Sequence, residues 1–558
     1  MKSRIIRDYL ESLKEDNELD YIFPILLSSM GFRIVSTPRN SKGQPQHGKD
    51  VVAIGRDSNN IVHRWYFELK GNKAKDITIS SFSAPDGIKE SLDEAKYVEY
   101  DAPHIPIFNS LPVKIVFVHN GILQANAEDL FNGYINKEFP DGNFERWGIE
   151  RLTELFSEHL FEECMFANEK CYSLFKKTLV LLDAPGWTIK DVDSIIDIHL
   201  SQCPTGTRPN RRLISKTFAG LNLMLAIIHK FSIESGNLLP AKQSSDRIVL
   251  KVWSWILKHH KESSKLYLVP YCKIVDLHLT IYQQYVEKLL PLAMSYKGLY
   301  LNPGYESEKI CYPLRCYDFL NDLLYFFFAC DRLSKENEEM RFQQLECIVN
   351  VIKMNSGFDI PLTDNCSITL LLLTKFIVSG KRSENAEKCY VSLISRICQN
   401  VIIRHKQNGM FPEVYNKISE LCKSIYHKSD NYSDSSSMFL LVLVEIIVWL
   451  DIPELYSMLR HEITESKVNL QIPFPIESDN LEETFFDHHL HNEMSVKTSI
   501  ELPESFQQFI ATFEKKYKPI AFKTANSRLD FLVILAHIHY KTEMFPDFIN
   551  FGFLKSLD

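Results

Sequence analysis

The chain has 558 residues, 45% apolar and 24% charged, which is too long for one ordinary domain and excludes disorder or a fibrous fold over most of its length. A formal net charge of −8 and a pI near 6.2 exclude a protein that is basic throughout, so any polyanion contact must be local. The longest apolar run, Met438 to Leu450, is broken by Glu445 and falls short of the ~20 residues of a membrane span.

The N-terminus is charged throughout and has no apolar signal segment. Twelve cysteines are scattered, and the closest pair, Cys311 and Cys316, has no second pair at zinc-binding spacing. The expectation is a cytoplasmic protein with reduced thiols and no membrane anchor.

In chain order, Asp20 to Met30 carries apolar residues at helical spacing, with Pro24 near the first turn and Gly31 at the stop. Phe32 to Thr37, Asp50 to Ile54 and His63 to Lys70 then predict short strands, joined by the polar loop RNSKGQPQHGK and the turn GRDSNN. Asp86 to Val98 has the rhythm of an amphipathic helix, and Val113 to His119 reads as a buried strand closed by Asn120-Gly121. A helical pattern over RWGIERLTELFSEHLFEE ends near residue 165 and would cover the sheet.

The segment 1–165 is therefore expected to be an α/β or α+β domain. Beyond it, long helical patterns such as Phe319 to Leu333, Ile368 to Val378 and Met438 to Leu450 predict a large all-α region over 166–558. Linker-like compositions at 201–212, 429–437 and 471–483 would divide it, and no fixed repeat period emerges.

Phosphodiester hydrolysis needs an activated water, stabilisation of charge on the phosphoryl oxygens and neutralisation of the leaving oxygen. Divalent cations held by carboxylates supply all three, and an adjacent lysine can hold the water or the phosphate. Asp50 opens one predicted strand, while Glu68 and Lys70 end the next. Period-two alternation places Glu68 and Lys70 on one face, and a strand spacing of ~4.8 Å brings Asp50 within reach of a cation shared with Glu68.

This order of residues resembles the PD-(D/E)XK nucleases, and within them the Mrr-like restriction endonucleases. Leu19-Asp20-Tyr21 through Met30-Gly31-Phe32 looks like their first helix, His47-Gly48-Lys49-Asp50 like their Gly-x-Asp strand start, and Glu68-Leu69-Lys70 like their E-x-K. The resemblance covers roughly residues 15 to 125. It implies a restriction-endonuclease-like fold, Mg²⁺ or Mn²⁺ held by Asp50 and Glu68, Lys70 as the catalytic lysine, and Asp20 as the helix-borne acid serving a second ion. Lys42, His47, Lys49 and Lys73 flank these residues and are expected to contact DNA phosphates.

The expected function is a DNA endonuclease. A nuclease joined to a long helical segment looks like the effectors of bacterial anti-phage defence, which work beside a partner ATPase or sensor. No G-x-x-x-x-G-K-[ST] loop occurs in this chain, and Ser379-Gly380-Lys381 lacks the upstream glycine. Double-strand cleavage would favour a homodimer. A helical interaction scaffold with a DNA-holding module is the alternative from another class, and an RNase is a third.

Three further features have simpler readings. FFDHHLHNE (Phe485 to Glu493) lacks H-E-x-x-H and reads as a polar helix end rather than a metal site. The basic clusters at 208–212 and 258–261 read as linker or helix ends, and Tyr325 to Phe328 as core aromatics.

Overall fold

The computed structural model describes residues 2–38, 47–71, 76–85, 87–102, 105, 107–159, 169–182, 187–333, 338–378, 383–424, 427–430, 432, 435–476, 478–490, 494–497, 500–513 and 522–542. It is a mixed α/β structure with a five-stranded sheet near the N-terminus and a helical remainder. The chain divides into two compact units, one of residues 1–248 and 261–277, the other of 249–260 and 278–558. The unit that holds the sheet thus runs past 165 and takes in helices from the segment read as all-α.

The first unit opens with α1 (Lys2–Ser12), whose stripe of Ile6, Tyr9 and Leu10 is buried. A π turn at Glu15–Leu19 leads into α2 (Asp20–Ser29), with the Leu19 N–H bonded to the Lys14 carbonyl. Pro24 lies inside α2 and offers no N–H to the turn before it. Three antiparallel strands follow, β1 (Arg33–Ser36), β2 (Val51–Arg56) and β3 (Val62–Lys70).

Helices α3 (Ile79–Ser83) and α4 (Ile88–Tyr97) then cross to β4 (Val113–His119), and α5 (Ala125–Glu138) crosses to β5 (Phe144–Trp147). Both crossovers produce parallel pairing, so β3 is antiparallel to β2 on one side and parallel to β4 on the other. α6 (Ile149–His159), α7 (Glu169–Val180), α8 (Lys190–Ser201) and α9 (Arg211–Glu234) complete this part.

Alternation along β3 sorts the two faces. Trp65 and Phe67 face α2, where Phe67 meets Phe23 edge-on at 5.2 Å and Trp147 at 5.5 Å. Tyr66 joins Val52, Ile115 and Phe117 beneath α3, α4 and α5, packing with Phe82, Leu92 and Phe131. Both faces are covered, as a sheet with parallel pairs requires.

The elements depart from the sequence reading in two ways here. Arg146 and Trp147 belong to β5 rather than to the following helix, because the four-residue strand is too short to interrupt the helical rhythm that begins at Ile149. Helices α1, α3 and α5, the last with Ala127 and Phe131 buried, are additional elements that the sequence reading does not contain.

The chain passes between units within α10 (Leu239–Lys258) and α11 (Lys265–Ala293). The second unit continues with α12 (Glu308–Leu333), α13 (Glu338–Met354), α14 (Cys366–Val378), α15 (Glu384–Asn408) and α16 (Ile418–Lys423). After β6 (Ser436–Ser437) come α17 (Phe439–Trp449), α18 (Pro453–Ser466), β7 (Asn469–Leu470), β8 (Ile472–Pro475), α19 (Leu481–Phe485), β9 (Met494–Lys497), α20 (Phe506–Phe513) and α21 (Phe531–Tyr540). α14 is apolar all round and buried along nearly its whole length, the pattern of a helix at the centre of a bundle.

Tyr325 is fully buried among Tyr282 and His278, a core position as expected. The segment 471–483 is not a linker: β8 within it pairs with β9, and α19 follows. Residues 202–210, by contrast, do connect two helices, and Asn210 caps α9 by accepting from the N–H groups of Arg212 and Leu213. Among the described residues, no helix is long and apolar enough to cross a membrane.

Candidate active site at the end of the central strand

Register brings the principal residues together. Val51 pairs with Phe67, so Asp50, one residue earlier, stands opposite Glu68. Asp50 Oδ2 accepts from the Leu69 N–H at 2.7 Å, which holds the carboxylate at the strand end. Glu68 and Lys70 share a face by the period-two rule, and the Lys70 ammonium lies 2.8 Å from Glu68 Oε1.

The electrostatics follow from burial. Glu68 is 2% exposed, and burial together with the charge of Glu68 pushes the Asp50 carboxyl well above the usual carboxylate range. The Leu69 N–H and the Lys70 ammonium pull it back only in part. Burial also disfavours the charge on Lys70, yet the carboxylates of Glu68 and Glu15 outweigh it and hold that pKa above its ordinary value.

Glu15 is the residue that sequence reasoning missed. It starts the π turn, its Oε1 lies 3.5 Å from Lys70 Nζ, and its Oε2 accepts from the Gly71 N–H at 3.3 Å. Asp20 sits one turn later, as the first residue of α2, and its backbone N–H bonds to the Glu15 carbonyl. The geometry thus ties Glu15, rather than Asp20, to Lys70. The nearby Glu18 is directed elsewhere, toward Lys216 at 2.7 Å and Arg212 at 3.3 Å on α9. A π turn placing an acid ahead of an amphipathic helix leaves no periodic signal.

Two further groups stand at the same strand end. His119 is the register partner of Lys70 and is fully buried, and Arg146 on β5 reaches its ring at 3.3 Å while remaining exposed. Neither is marked by a motif; only the strand pairing reveals them.

The residues before Asp50 are structural as well as polar. His47 is exposed, with Nδ1 3.7 Å from Glu94 Oε2. Lys49 is 5% exposed, and its ammonium donates to the carbonyls of His47 at 3.1 Å and Glu94 at 3.2 Å. It therefore anchors the start of β2 to α4 rather than reaching out to a phosphate, and burial lowers its pKa to about 8. Between them Gly48 adopts φ +67°, and a Cβ there would lie 2.0 Å from the Ser91 carbonyl oxygen. Lys42 and Lys73 lie outside the described residues, as do His491 and Glu493 of the histidine-rich segment.

Among the described residues, no group of three or more His, Cys, Asp or Glu side chains is arranged to hold a metal ion. Comparison with known proteins gives no matching family model, no matching curated protein and no matching solved structure.

Proposed function

We propose that the first unit is a metal-dependent nuclease of restriction-endonuclease-like fold, hydrolysing phosphodiester bonds of DNA. The observation that carries this reading is the meeting of Asp50, Glu68 and Lys70 at one strand end, where the charge of the buried Glu68 acts on a half-buried Asp50. Burying two like charges together is costly, and such pairs concentrate at functional sites.

The donor set suits a hard divalent cation. Mg²⁺ needs only one or two protein carboxylates, its remaining positions being water and substrate oxygens, so a cage of three protein ligands is not required. Asp50 and Glu68 would hold it, and the repulsion between them is what a cation relieves. When bound, Mg²⁺ or Mn²⁺ supplies polarisation of the phosphoryl oxygens and a more acidic water.

The remaining steps belong to the chain. The Leu69 N–H fixes one carboxylate oxygen of Asp50 at the strand end, opposite Glu68. Lys70, kept charged by Glu68 and Glu15, directs a fixed positive group at the attacking water or a phosphoryl oxygen. Glu15 positions that ammonium and ties it to Gly71.

The test is cleavage of plasmid DNA, linear DNA and RNA by the full chain with Mg²⁺ or Mn²⁺. Asp50→Asn, Glu68→Gln and Lys70→Met are each expected to reduce cleavage by about 10²-fold or more. DNA and RNA both left intact at all metal concentrations, or cleavage unaffected by all three substitutions, refutes the reading; cleavage of RNA alone reassigns the substrate. An effector role in defence, a partner ATPase and a homodimer rest on architecture alone. Co-purification and sedimentation of the full chain test the last two.

A further inference from the structure

In the second unit a cleft of about 370 Å³ opens between the C-terminal end of α13, the first half of α15 and the turn after α11. That volume lies in the range of small-molecule sites. Four cations line it, Lys297, Lys353, Lys388 and Arg396, against one carboxylate, Asp359, a net of +3 in a chain whose net charge is −8.

The charges are not all spent on each other. Arg396 Nε bonds Asp359 at 2.9 Å, and a second guanidinium nitrogen bonds Ser392 at 2.7 Å. Lys388 pairs with Glu384, but both side chains are at least 75% exposed, so the pair is weak, and Glu384 does not line the cleft. Lys353 donates to the neutral amide oxygen of Asn385 at 3.3 Å. Lys297 has no ion pair among the described residues, and its ammonium lies 5.6 Å from the ring centre of Tyr296. Tyr296 itself is 77% exposed beside this charge.

The turn that presents Tyr296 and Lys297 is locked in place. Asn355, fully buried, donates to the carbonyls of Ala293 at 2.6 Å and Val351 at 3.0 Å, and accepts from the Leu299 N–H at 3.2 Å. The Lys297 N–H bonds the Met354 carbonyl at 2.8 Å. Gly298 permits the tight return, since a Cβ there would lie 1.8 Å from the Leu292 carbonyl oxygen. A positive wall and an aromatic face are therefore held in a fixed relation, which lowers the cost of ordering them on a ligand.

We propose that this cleft binds an organic phosphate of mononucleotide size, its phosphate against Lys297, Lys353 and Lys388 and its flat ring against Tyr296. Ammonium groups hold phosphate as point charges, and a base stacks on an exposed tyrosine. The inference stands independently of the nuclease reading.

Isothermal titration of the full chain with AMP, ATP, inorganic phosphate and adenosine tests it. AMP or ATP is expected to bind at least about tenfold more tightly than inorganic phosphate or adenosine. Lys297→Ala combined with Lys353→Ala, and separately Tyr296→Ala, should each weaken that binding by about tenfold or more while leaving the ligand-free melting temperature unchanged. Absence of AMP and ATP binding at millimolar concentration overturns the proposal, as does equal binding of inorganic phosphate. Nucleotide binding that survives these substitutions in folded protein also overturns it.

Discussion

Replacing Gly48 by alanine tests how the start of β2 positions Asp50. At φ +67° an alanine costs roughly 1–2 kcal/mol for the left-handed backbone. Its Cβ would also stand 2.0 Å from the Ser91 carbonyl oxygen and 3.0 Å from the Ala95 nitrogen, so α4 or the strand start must move by about an ångström. Overpacking of this kind adds roughly 1–3 kcal/mol.

Gly142 provides the internal control, since it has φ +68° and open space within 4 Å of where a Cβ would stand, so Gly142→Ala isolates the backbone cost. At roughly 2–4 °C per kcal/mol for a unit of this size, Gly48→Ala should lower the melting temperature by about 4–20 °C and Gly142→Ala by about 2–8 °C. Differential scanning calorimetry reads both. Equal shifts in the two variants would refute the argument from close approach. The same displacement carries Asp50 away from Glu68, so under the nuclease reading Gly48→Ala also loses cleavage, and Gly142→Ala keeps it.

Glu15→Gln removes one of the two carboxylates that hold Lys70, and cleavage is expected to fall by about tenfold or more with little change in melting; unchanged rates would show that Glu15 is not a positioning residue. Asn120 is fully buried and donates to the carbonyls of Leu10 and Leu13, so Asn120→Leu should cost about 2–4 kcal/mol in denaturant unfolding. A loss below about 0.5 kcal/mol would contradict its role as the tie between α1 and the sheet. In α17, burial pushes the Glu445 carboxyl up to about 8 from its ordinary 4.5. Between those values the unfolded chain ionises while the folded chain resists, so stability falls as pH rises, by at most ~1.4 kcal/mol per pH unit. Glu445→Gln should remove that slope, making the variant relatively more stable at pH 8 than at pH 5; an identical difference at both pH values would exclude it.

What could be read from the residues was what repeats or alternates. Val113 to His119 coincides with β4, and the alternation of His63 to Lys70 places Glu68 and Lys70 on one face from residue order alone. The antiparallel register then brings Asp50 opposite Glu68. Contacts set by tertiary packing were not legible. Glu15 enters through a π turn with no periodicity, Arg146 through a four-residue strand, and the burial of Lys49 through a helix packed onto it from 45 residues away. The short strands β8 and β9 pair across a gap that contains a helix, so composition suggests a linker where the chain forms a ribbon.

The pairing of Glu18 with Arg212 and Lys216 bears on how the sheet-bearing part of the first unit can be isolated. Arg212 also donates to the Ser12 carbonyl, so α9 braces the peptide segment that delivers Glu15. A fragment cut at residue 165, where the mixed pattern of helix and strand fades, would strip that brace away and leave an acid with 8% side-chain exposure short of both its cations. The smallest faithful excision therefore has to retain the helices through Glu234, and inactivity of a shorter piece would say nothing about the chemistry of the intact chain.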